Sequence, residues 1–455
     1  MVDNNLIKKI ESESAARIFS ELYGEGEVYS ARKRYLELLN ELSGNSFPEI
    51  EPNKTKEETR VFTAPGRTEL AGNHTDHNRG KVLAASIQLD SIALVQRRDD
   101  DVVFFRSTGF PDVKIKLTDS SGAPDLQPKP DETETTDALI RGIAAEFSRR
   151  GRKIGGFSAI AASTVLPGSG LSSSASIEVL IGRIFDSLYT DEQKFKPLEI
   201  AQIGQYAENV YFKKPCGLMD QTACATGGAV AIDFADVAFP IVKQINFDLA
   251  AAGYALCVVN TGGSHADLTA DYASIPAEMK AVAAFFGKTV LRELEKDMIL
   301  SSAVDIRKKL GDRALMRSLH FFDENERVDV MAAALTKMDN AATDTAKLEA
   351  LYCYLDLITE SGDSSWELLQ NVYSPANPES QGITTALALT RDFFRKQKIK
   401  GTCRVHGGGF AGTIQTYVPL DILELYRTYI ETIFGTGSVT PIRIRPIGAV
   451  ELIFD

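Results

Sequence analysis

The sequence predicts a protein of both strands and helices that is divided into two domains, and three observations support this. A chain of 455 residues, 44% of them hydrophobic, is long enough for two or three domains. Short apolar runs rich in β-branched residues alternate with runs of helical periodicity as far as Phe247, which is typical of sheets covered by helices. Beyond that residue helical periodicity dominates. We therefore expect domains at residues 1–246 and 247–455.

The N-terminal segment predicts helices before the first strand. Apolar residues recur at helical spacing over Leu6–Tyr23 and Ala31–Leu42, whereas Gly44–Thr59 is polar and contains prolines, as loops do. A short strand is expected at Arg60–Ala64. Polar side chains are then dense as far as Gly80, and a packed interior does not need them. We therefore expect a ligand-facing loop and turn between Ala64 and Gly80.

The remaining elements follow from the same two periodicities. Strands are predicted in the first half at 81–97, within 102–117 and at 157–165, and helices at 137–150, 177–189 and 198–212. In the second half we expect strands at 227–234, 253–260 and 449–454 and a helix at 420–434. Residues 275–394 are expected to be mostly helical, with interruptions near 361–365 and at two prolines.

Glycine and serine are most concentrated in Leu166–Ser176, between a predicted strand and a predicted helix. Gly168 and Gly170 allow positive φ and close backbone approach, and the first N–H groups of the helix have no internal partner. Together with the helix dipole this favours a bound phosphate. No Gly-Lys-Ser/Thr follows, so the loop is not a Walker A motif, nor does it match G-x-G-x-x-G. A helix capped after a tight turn is the alternative.

Composition excludes some classes of function. The chain has 50 Lys and Arg against 62 Asp and Glu, a formal charge of −12, which argues against general nucleic-acid binding. No apolar run approaches the ~20 residues of a membrane span, and the N-terminus lacks the pattern of a signal peptide. The five cysteines form no C-x-x-C pair. We therefore expect reduced thiols in a cytoplasmic protein without nucleic-acid or membrane partners.

Two acidic residues stand out beside the glycine-rich loop. Asp220 lies between Met219 and Gln221, where it is either a helix cap or a functional carboxylate. Glu208 lies on the helix before it and taken alone would be an ordinary surface glutamate. With Arg67 and Ser174 they supply a cation, a hydroxyl and two carboxylates, which are the groups that phosphoryl transfer needs.

A zinc site is the sharpest rival hypothesis. The segment from His74 to Gly80 matches most of the zinc-hydrolase pattern H-x-H-x-D-H-x-x-G, but Gly72 stands where its first histidine would be. Zinc sites use three or four protein ligands in close geometry. The histidines left to complete such a site are His265, His320 and His406.

Three blocks of the chain together resemble the GHMP small-molecule kinases, and two segments are similar to the galactokinase family within that superfamily. The blocks are Pro65–Gly72, Leu166–Ala175 and His406–Gly412, the last of which we call the third motif. The galactokinase-like segments are Gly66–Asn78, which we call the sugar motif, and Cys216–Gln221. Their order and spacing fit from about Phe19 to the C-terminus. The resemblance implies an N-terminal mixed-sheet domain, a C-terminal α+β domain and an active site in the cleft between them. It also implies ATP-dependent phosphorylation of a sugar, galactose first, at its anomeric C1 hydroxyl.

The resemblance assigns expected roles to individual residues. Asp220 would orient or deprotonate the C1 hydroxyl beside Arg67, and Ser174 and Glu208 would bind Mg²⁺. The ATP phosphates would contact Gly168, Ser169, Gly170, Leu171, Ser172, Ser173 and Ser174, with Gly408 and Gly409 supporting the site. The sugar would contact Asn73, His74, Asp76, Gly217 and Tyr272.

Two positions depart from the galactokinase pattern. Asn73 stands where glutamate is usual, and His77 stands where tyrosine is usual. An amide donates as well as accepts hydrogen bonds, whereas a carboxylate only accepts them. A related sugar-1-kinase acting on a C2- or C6-modified hexose or on a pentose is therefore an alternative. A non-catalytic sugar and ATP sensor on the same fold is another, although the complete serine run and Asp220 favour an enzyme.

Overall fold

The computed structural model of the chain describes residues 4–43, 58–165, 170–190, 193–214, 216–263 and 268–454. Most of the predicted loop Gly44–Thr59 lies outside these residues. Two sheets with helices around them form the fold, which confirms the α+β prediction.

The strands are numbered in chain order. They are β1 Arg60–Ala71, β2 Lys81–Arg97, β3 Val102–Ser107, β4 Val113–Lys116, β5 Phe157–Ser163, β6 Ala229–Asp233, β7 Ile241–Ile245, β8 Tyr254–Asn260, β9 Thr402–Val405, β10 Thr413–Pro419, β11 Val439–Ile442 and β12 Val450–Leu452.

The α-helices are numbered in the same way. They are α1 Asn4–Glu11, α2 Glu13–Tyr23, α3 Val28–Ser43, α4 Thr136–Arg149, α5 Ser173–Tyr189, α6 Pro197–Tyr206, α7 Met219–Thr226, α8 Thr269–Phe285, α9 Lys296–Ser301, α10 Ala303–Leu310, α11 Asp312–Asp339, α12 Asp344–Ser364, α13 Gly382–Gln397 and α14 Leu423–Phe434. Two π-helical turns, Ala207–Phe212 and Ser365–Leu369, continue α6 and α12.

The larger sheet has the strand order β12-β1-β2-β5-β3-β4, and β6 and β7 extend it from the other half of the long strand β2. Strands β3 and β5 are parallel and the other pairs are antiparallel, so the sheet is mixed. The smaller sheet has the order β11-β8-β10-β9 and is antiparallel. The expected domain boundary falls between β7 and β8, although β12 returns to the larger sheet, and it stays a prediction.

Strand β1 corrects the prediction that a strand ends at Ala64. It continues to Ala71 because it pairs with β12 on one side and with β2 on the other, and almost all of it is buried. The register shifts between Pro65 and Arg67 and again between Glu69 and Ala71, as at β-bulges. The first half of the expected ligand-facing loop is therefore strand, and the bulges lie at its polar residues.

Helix α12 corrects a second prediction, the interruption near 361–365. The helix runs to Ser364 and passes directly into the π-helical turn. Gly362 packs against β9, where an added Cβ would lie 3.0 Å from the carbonyl oxygen of Cys403. Gly362 therefore serves close packing against β9.

A hydrophobic core joins the two sheets. Leu83 and Ala85 of β2 pack with Val258 of β8, and Met331 of α11 and Tyr354 of α12 fill the space between them. A separate core lies under α4 to α7 on the larger sheet, and a third lies between this sheet and the N-terminal helices. Among the described residues, no helix is both long and apolar enough to span a lipid bilayer.

Candidate active site

Sequence-distant polar groups meet at the end of β1. Arg67 of β1 reaches Asp220 in the first turn of α7, with Nε 2.7 Å from Oδ1 and NH2 2.5 Å from Oδ2. The Arg67 side chain is 9% exposed and the Asp220 side chain 28% exposed. The pair is thus a bidentate ion pair whose carboxylate still reaches the cleft.

The ion pair sets the charge state of Asp220. Burial by itself raises the pKa of the carboxyl group, but the charge and hydrogen bonds of Arg67 outweigh it, and a bond from Ser172 adds to them. The pKa of Asp220 therefore lies below its ordinary value, and the group is ionised at neutral pH.

The described end of the glycine-rich loop is bound to the same pair. Leu171 accepts a hydrogen bond from the Arg67 backbone N–H at 3.0 Å, and the Gly170 carbonyl accepts one from Arg67 NH1. Ser172 donates its hydroxyl hydrogen bond to Asp220 Oδ2. Ser173 and Ser174 follow in the first turn of α5. The predicted phosphate-binding residues Gly168 and Ser169 lie outside the described residues.

The third motif packs on this loop from the smaller sheet. An added Cβ on Gly170 would lie 3.1 Å from Nδ1 of His406. Burial lowers the pKa of His406 to about 3, so the ring is neutral, and its two nitrogens contact Thr68 and Thr413 at 3.0 Å. His406 is thus a buried contact between the sheets.

Gly408 and Gly409 follow on the loop between β9 and β10. A Cβ on Gly408 would lie 2.4 Å from the ring of Tyr272, and one on Gly409 would lie 2.1 Å from the Asn371 carbonyl oxygen. The Tyr272 hydroxyl donates to the Gly409 carbonyl at 3.0 Å. Close approach therefore requires glycine at both positions.

A cluster of carboxylates lies behind Asp220. Glu208, on the π-helical turn after α6, is 3% exposed, and its Oε2 accepts from Gln221 Nε2 at 2.9 Å. The same Nε2 lies 2.9 Å from Glu178 Oε2, and Lys214 Nζ lies 3.4 Å from Glu208 Oε1. Burial raises the pKa of Glu178 well above its ordinary value, and the negative charges of Glu208 and Asp220 raise it further.

Asp76 and Gly217 bring the segment Gly66–Asn78 next to the turn that leads to Asp220. A Cβ on Gly217 would lie 2.1 Å from Asp76 Oδ2, so any other residue at 217 would displace the Asp76 carboxylate. Two residues separate Gly217 from Asp220. The structure thus places these two predicted sugar-binding residues together, next to the ion pair.

His74 lies across the cleft against the third motif. Its Nε2 is 2.9 Å from the Gly408 carbonyl oxygen, so this nitrogen carries the proton. Burial lowers the pKa of His74 to about 4, although the Gly408 carbonyl opposes this shift. Its Nδ1 is consequently an acceptor. His77, the departure from the family pattern, is exposed, with Nε2 3.8 Å from Asp76 Oδ1.

Asn73 is buried, and its side-chain amide is hydrogen-bonded to other protein groups. It is 1% exposed, and its Nδ2 donates to Glu69 Oε1 at 3.1 Å and to the Gly407 carbonyl at 2.7 Å. Its Oδ1 accepts from Asn371 at 2.7 Å. Glu69 in turn pairs with the fully buried Arg404 of β9. Asn73 therefore links the two sheets through its side chain.

Glu324 of α11 binds the turn that begins at Gly72, after β1. Its Oε1 accepts from the Gly72 backbone N–H at 3.0 Å and from the Ser361 hydroxyl at 2.6 Å. Burial opposes ionisation, but Arg327 and then His320 lower the pKa of Glu324 to about 2. The carboxylate is thus a charged support for the sugar motif.

Sequence reasoning missed several of these groups. Gln221 and Glu178 lie next to predicted functional residues, and a glutamate on the apolar side of the helix at 177–189 was an available signal for Glu178. The partners from the second half, Glu324, Asn371 and Arg404, gave no signal, because each lies in an ordinary helix, loop or strand. In the part of the chain that the structure describes, no three His, Cys, Asp or Glu side chains are grouped to hold a metal ion. His265 lies outside that part.

Comparison with known proteins identifies the class. The family model for the GHMP kinase N-terminal domain matches residues 138–228, and the galactokinase galactose-binding signature matches residues 50–97. A galactokinase of Streptomyces coelicolor is 34% identical over 294 residues, which are 64% of this chain and 72% of that protein.

Solved structures agree. The galactokinase of Lactococcus lactis in complex with galactose superposes with a TM-score of 0.71 at 25% identity, covering 91% of this chain and all of that one. The mevalonate kinase of Methanococcus jannaschii shares the fold, with a TM-score of 0.55 at 13% identity over 86% of this chain and 99% of that one.

Fold and site thus define a GHMP-type kinase, an enzyme that transfers a phosphoryl group to a small molecule. Both sheets are present, and the start of α5 lies beside the Arg67–Asp220 pair. Within this class, the chain belongs to the galactokinase family.

Proposed function

We propose that the protein transfers the γ-phosphoryl group of ATP to the anomeric C1 hydroxyl of galactose, giving galactose 1-phosphate and ADP. The observation that carries the proposal is the ionised Asp220, paired with Arg67 between the start of α5 and the sugar motif. Membership of the galactokinase family supports galactose as the acceptor.

Asp220 orients the acceptor hydroxyl and accepts its proton. The new bond forms between the C1 oxygen and the γ-phosphorus as the bond from phosphorus to the bridging oxygen of ADP breaks. A carboxylate with a lowered pKa is a weak base. It is adequate here, because phosphoryl transfer depends on positioning and charge stabilisation more than on early proton removal. Arg67 holds the carboxylate in place and adds positive charge near the transferring group.

The N-terminus of α5 receives the phosphates. The backbone N–H groups of its first turn have no helical partners, and the positive end of the helix dipole lies at the same end of the helix. Ser173 and Ser174 lie in this turn and are half-buried. Gly168 to Leu171 would complete the loop around the phosphates, and Gly408 and Gly409 would support it from the smaller sheet.

The residues at the proposed Mg²⁺ site fit this ion. Glu208 offers a buried carboxylate and Ser174 a hydroxyl that bonds to no described residue, and hard oxygen ligands are what Mg²⁺ requires. Oε1 of Glu178 and Oε1 of Gln221 are buried beside Glu208 without a hydrogen-bond partner. Bound Mg²⁺ would neutralise charge on the nucleotide phosphates.

His74, Asp76 and Gly217 surround the space where the sugar hydroxyls would bind, and Tyr272 closes it beside Gly408. Asp76 and the Nδ1 of His74 are acceptors, which suits several hydroxyl donors. Asn73 serves this site indirectly, because its side-chain amide is already engaged by Glu69, Gly407 and Asn371.

The test is ADP release with Mg-ATP over a panel of galactose, N-acetylgalactosamine, galacturonate, arabinose, glucose and no sugar. We expect turnover with galactose. Turnover with another sugar alone would indicate a related sugar-1-kinase. Binding of ATP and galactose without turnover would favour a sensor.

Asp220→Asn is the matched variant for this assay. We expect turnover with galactose to fall by about 10²–10⁴-fold while calorimetric galactose binding survives, since only the ionised acceptor is lost. Near-normal turnover would remove Asp220 from its proposed role.

We also propose a cytoplasmic location. All five cysteines are free, and three of them are buried, as is typical of a reducing compartment. Redox-sensitive labelling of the protein in intact cells would check this.

A further inference from the structure

Ser172 has an unusual conformation for a residue before a helix. Its backbone angles are φ 61° and ψ 61°, in the left-handed region, which non-glycine residues seldom adopt. A serine at the N-cap normally takes extended angles and accepts a hydrogen bond from the first helical turn. Here the side chain makes no such bond. Ser172 thus occupies the N-cap position of α5, but its hydroxyl does not cap the helix.

The hydroxyl instead donates to Oδ2 of Asp220, 48 positions along the chain. Left-handed backbone at a non-glycine residue costs roughly 1–2 kcal/mol and persists where surrounding contacts hold it. Those contacts are present, since the carbonyls of Gly170 and Leu171 both accept from Arg67. Turning Ser172 away from the helix also leaves the N–H groups of the first turn of α5 without a side-chain acceptor, and so open to phosphate.

We infer that Ser172 is a positioning residue for Asp220, and that it is not a ligand of the ATP phosphates. Its hydroxyl and Arg67 NH2 both bond to Oδ2, whereas Oδ1 receives only Arg67 Nε among the described residues. A carboxylate oxygen accepts about two hydrogen bonds, so Oδ1 retains an acceptor site. Ser172 thus selects Oδ1 as the oxygen that meets the acceptor hydroxyl. This inference rests on the proposed function.

Two variants separate the hydroxyl from the backbone. Ser172→Gly removes the hydroxyl and adopts the left-handed conformation without strain, whereas Ser172→Ala removes the hydroxyl and keeps the Cβ. We expect both to lower kcat with galactose about ten- to hundredfold, the usual effect of losing a hydrogen bond to a charged group. The calorimetric Kd for ATP should stay within about twofold, which also shows that the site is folded.

A double variant tests the route of the effect. In an Asp220→Asn background, adding Ser172→Gly should change the residual turnover by less than about twofold, because residues that act as a unit are non-additive. An additional tenfold loss there would overturn the inference.

Four further results decide between a positioning role for Ser172 and the alternatives. A weaker Kd for ATP with unchanged kcat in Ser172→Gly would make Ser172 a phosphate ligand and overturn the inference. A loss confined to Ser172→Ala would assign the effect to the backbone and overturn it equally. If the wild-type protein turns over no sugar, the proposed function fails and the inference with it, whereas an active wild type with a fully active Ser172→Gly refutes the inference alone.

Discussion

Replacement of Arg67 by glutamine probes the centre of the site. Glutamine is shorter than arginine, but its amide nitrogen occupies the position of Nε and keeps one donor, while the charge and the second of the two parallel hydrogen bonds to Asp220 are lost. Asp220 then keeps the Ser172 hydroxyl and a single amide donor of the glutamine in place of the two donors of Arg67.

The magnitude follows from the geometry. Two unit charges about 4 Å apart attract by about 4 kcal/mol at an effective dielectric constant of 20. Asp220 is 28% exposed, so water screens part of this attraction, and we take about 2 kcal/mol as the loss in folding stability. Loss of a preorganised cation at the transferring group costs about 10²–10³-fold in kcat.

The sign of the pH effect is also fixed. In the wild type the pKa of Asp220 lies below its ordinary value. The ion pair therefore stabilises the fold fully at a pH above the ordinary pKa, and this stabilisation is lost as the pH falls through the lowered pKa of the folded protein. Without Arg67, burial dominates and raises the pKa. Activity of Arg67→Gln should therefore decline at a higher pH on the acid side than activity of the wild type.

The assay combines ADP release from pH 5 to 8 with thermal unfolding over the same range. Arg67→Lys is the control, because it keeps the charge but loses the bidentate geometry, and it should fall between the other two proteins. An Arg67→Gln protein with wild-type kcat, or with an unshifted acid side of its pH profile, would refute the assignment of Arg67 to the charge state of Asp220.

Three other substitutions test neighbouring parts of the site. Gly217→Ala places a Cβ 2.1 Å from Asp76 Oδ2 and should raise the KM for galactose at least about tenfold, with little change in the KM for ATP. Equal effects on the two KM values would contradict the placement of Gly217 at the sugar. Asn73→Glu, which restores the usual family residue, puts a second carboxylate beside Glu69 and should lower the melting temperature, whereas adding Glu69→Gln should recover much of the loss. Glu324→Gln removes a carboxylate with a pKa of about 2 and should cost about 3 kcal/mol above pH 5, and the gap in melting temperature from the wild type should narrow from pH 5 toward pH 3.

The sequence alone determined the local elements and the chemical groups of the site. The periodicity of apolar residues predicted β2 at its observed bounds and α5 to within a few residues, because neighbours along the chain carry that signal. The glycine-rich loop, Arg67, Glu208 and Asp220 could be singled out because phosphoryl transfer needs those groups. The family resemblance supplied the order in which the motifs come together.

Only the tertiary structure decided how these groups are paired. Arg67 and Asp220 are 153 positions apart, and the bond between Asn73 and Asn371 spans 298 positions, so sheet register and packing between the sheets set both distances. Local spacing likewise predicts that β1 ends at Ala64. In the structure β1 continues to Ala71, because it pairs with β12 on one side and with β2 on the other. The hydroxyl of Ser172 fits a cap or a phosphate ligand equally well in the sequence, and its bond to Asp220 exists because folding brings α7 beside the start of α5.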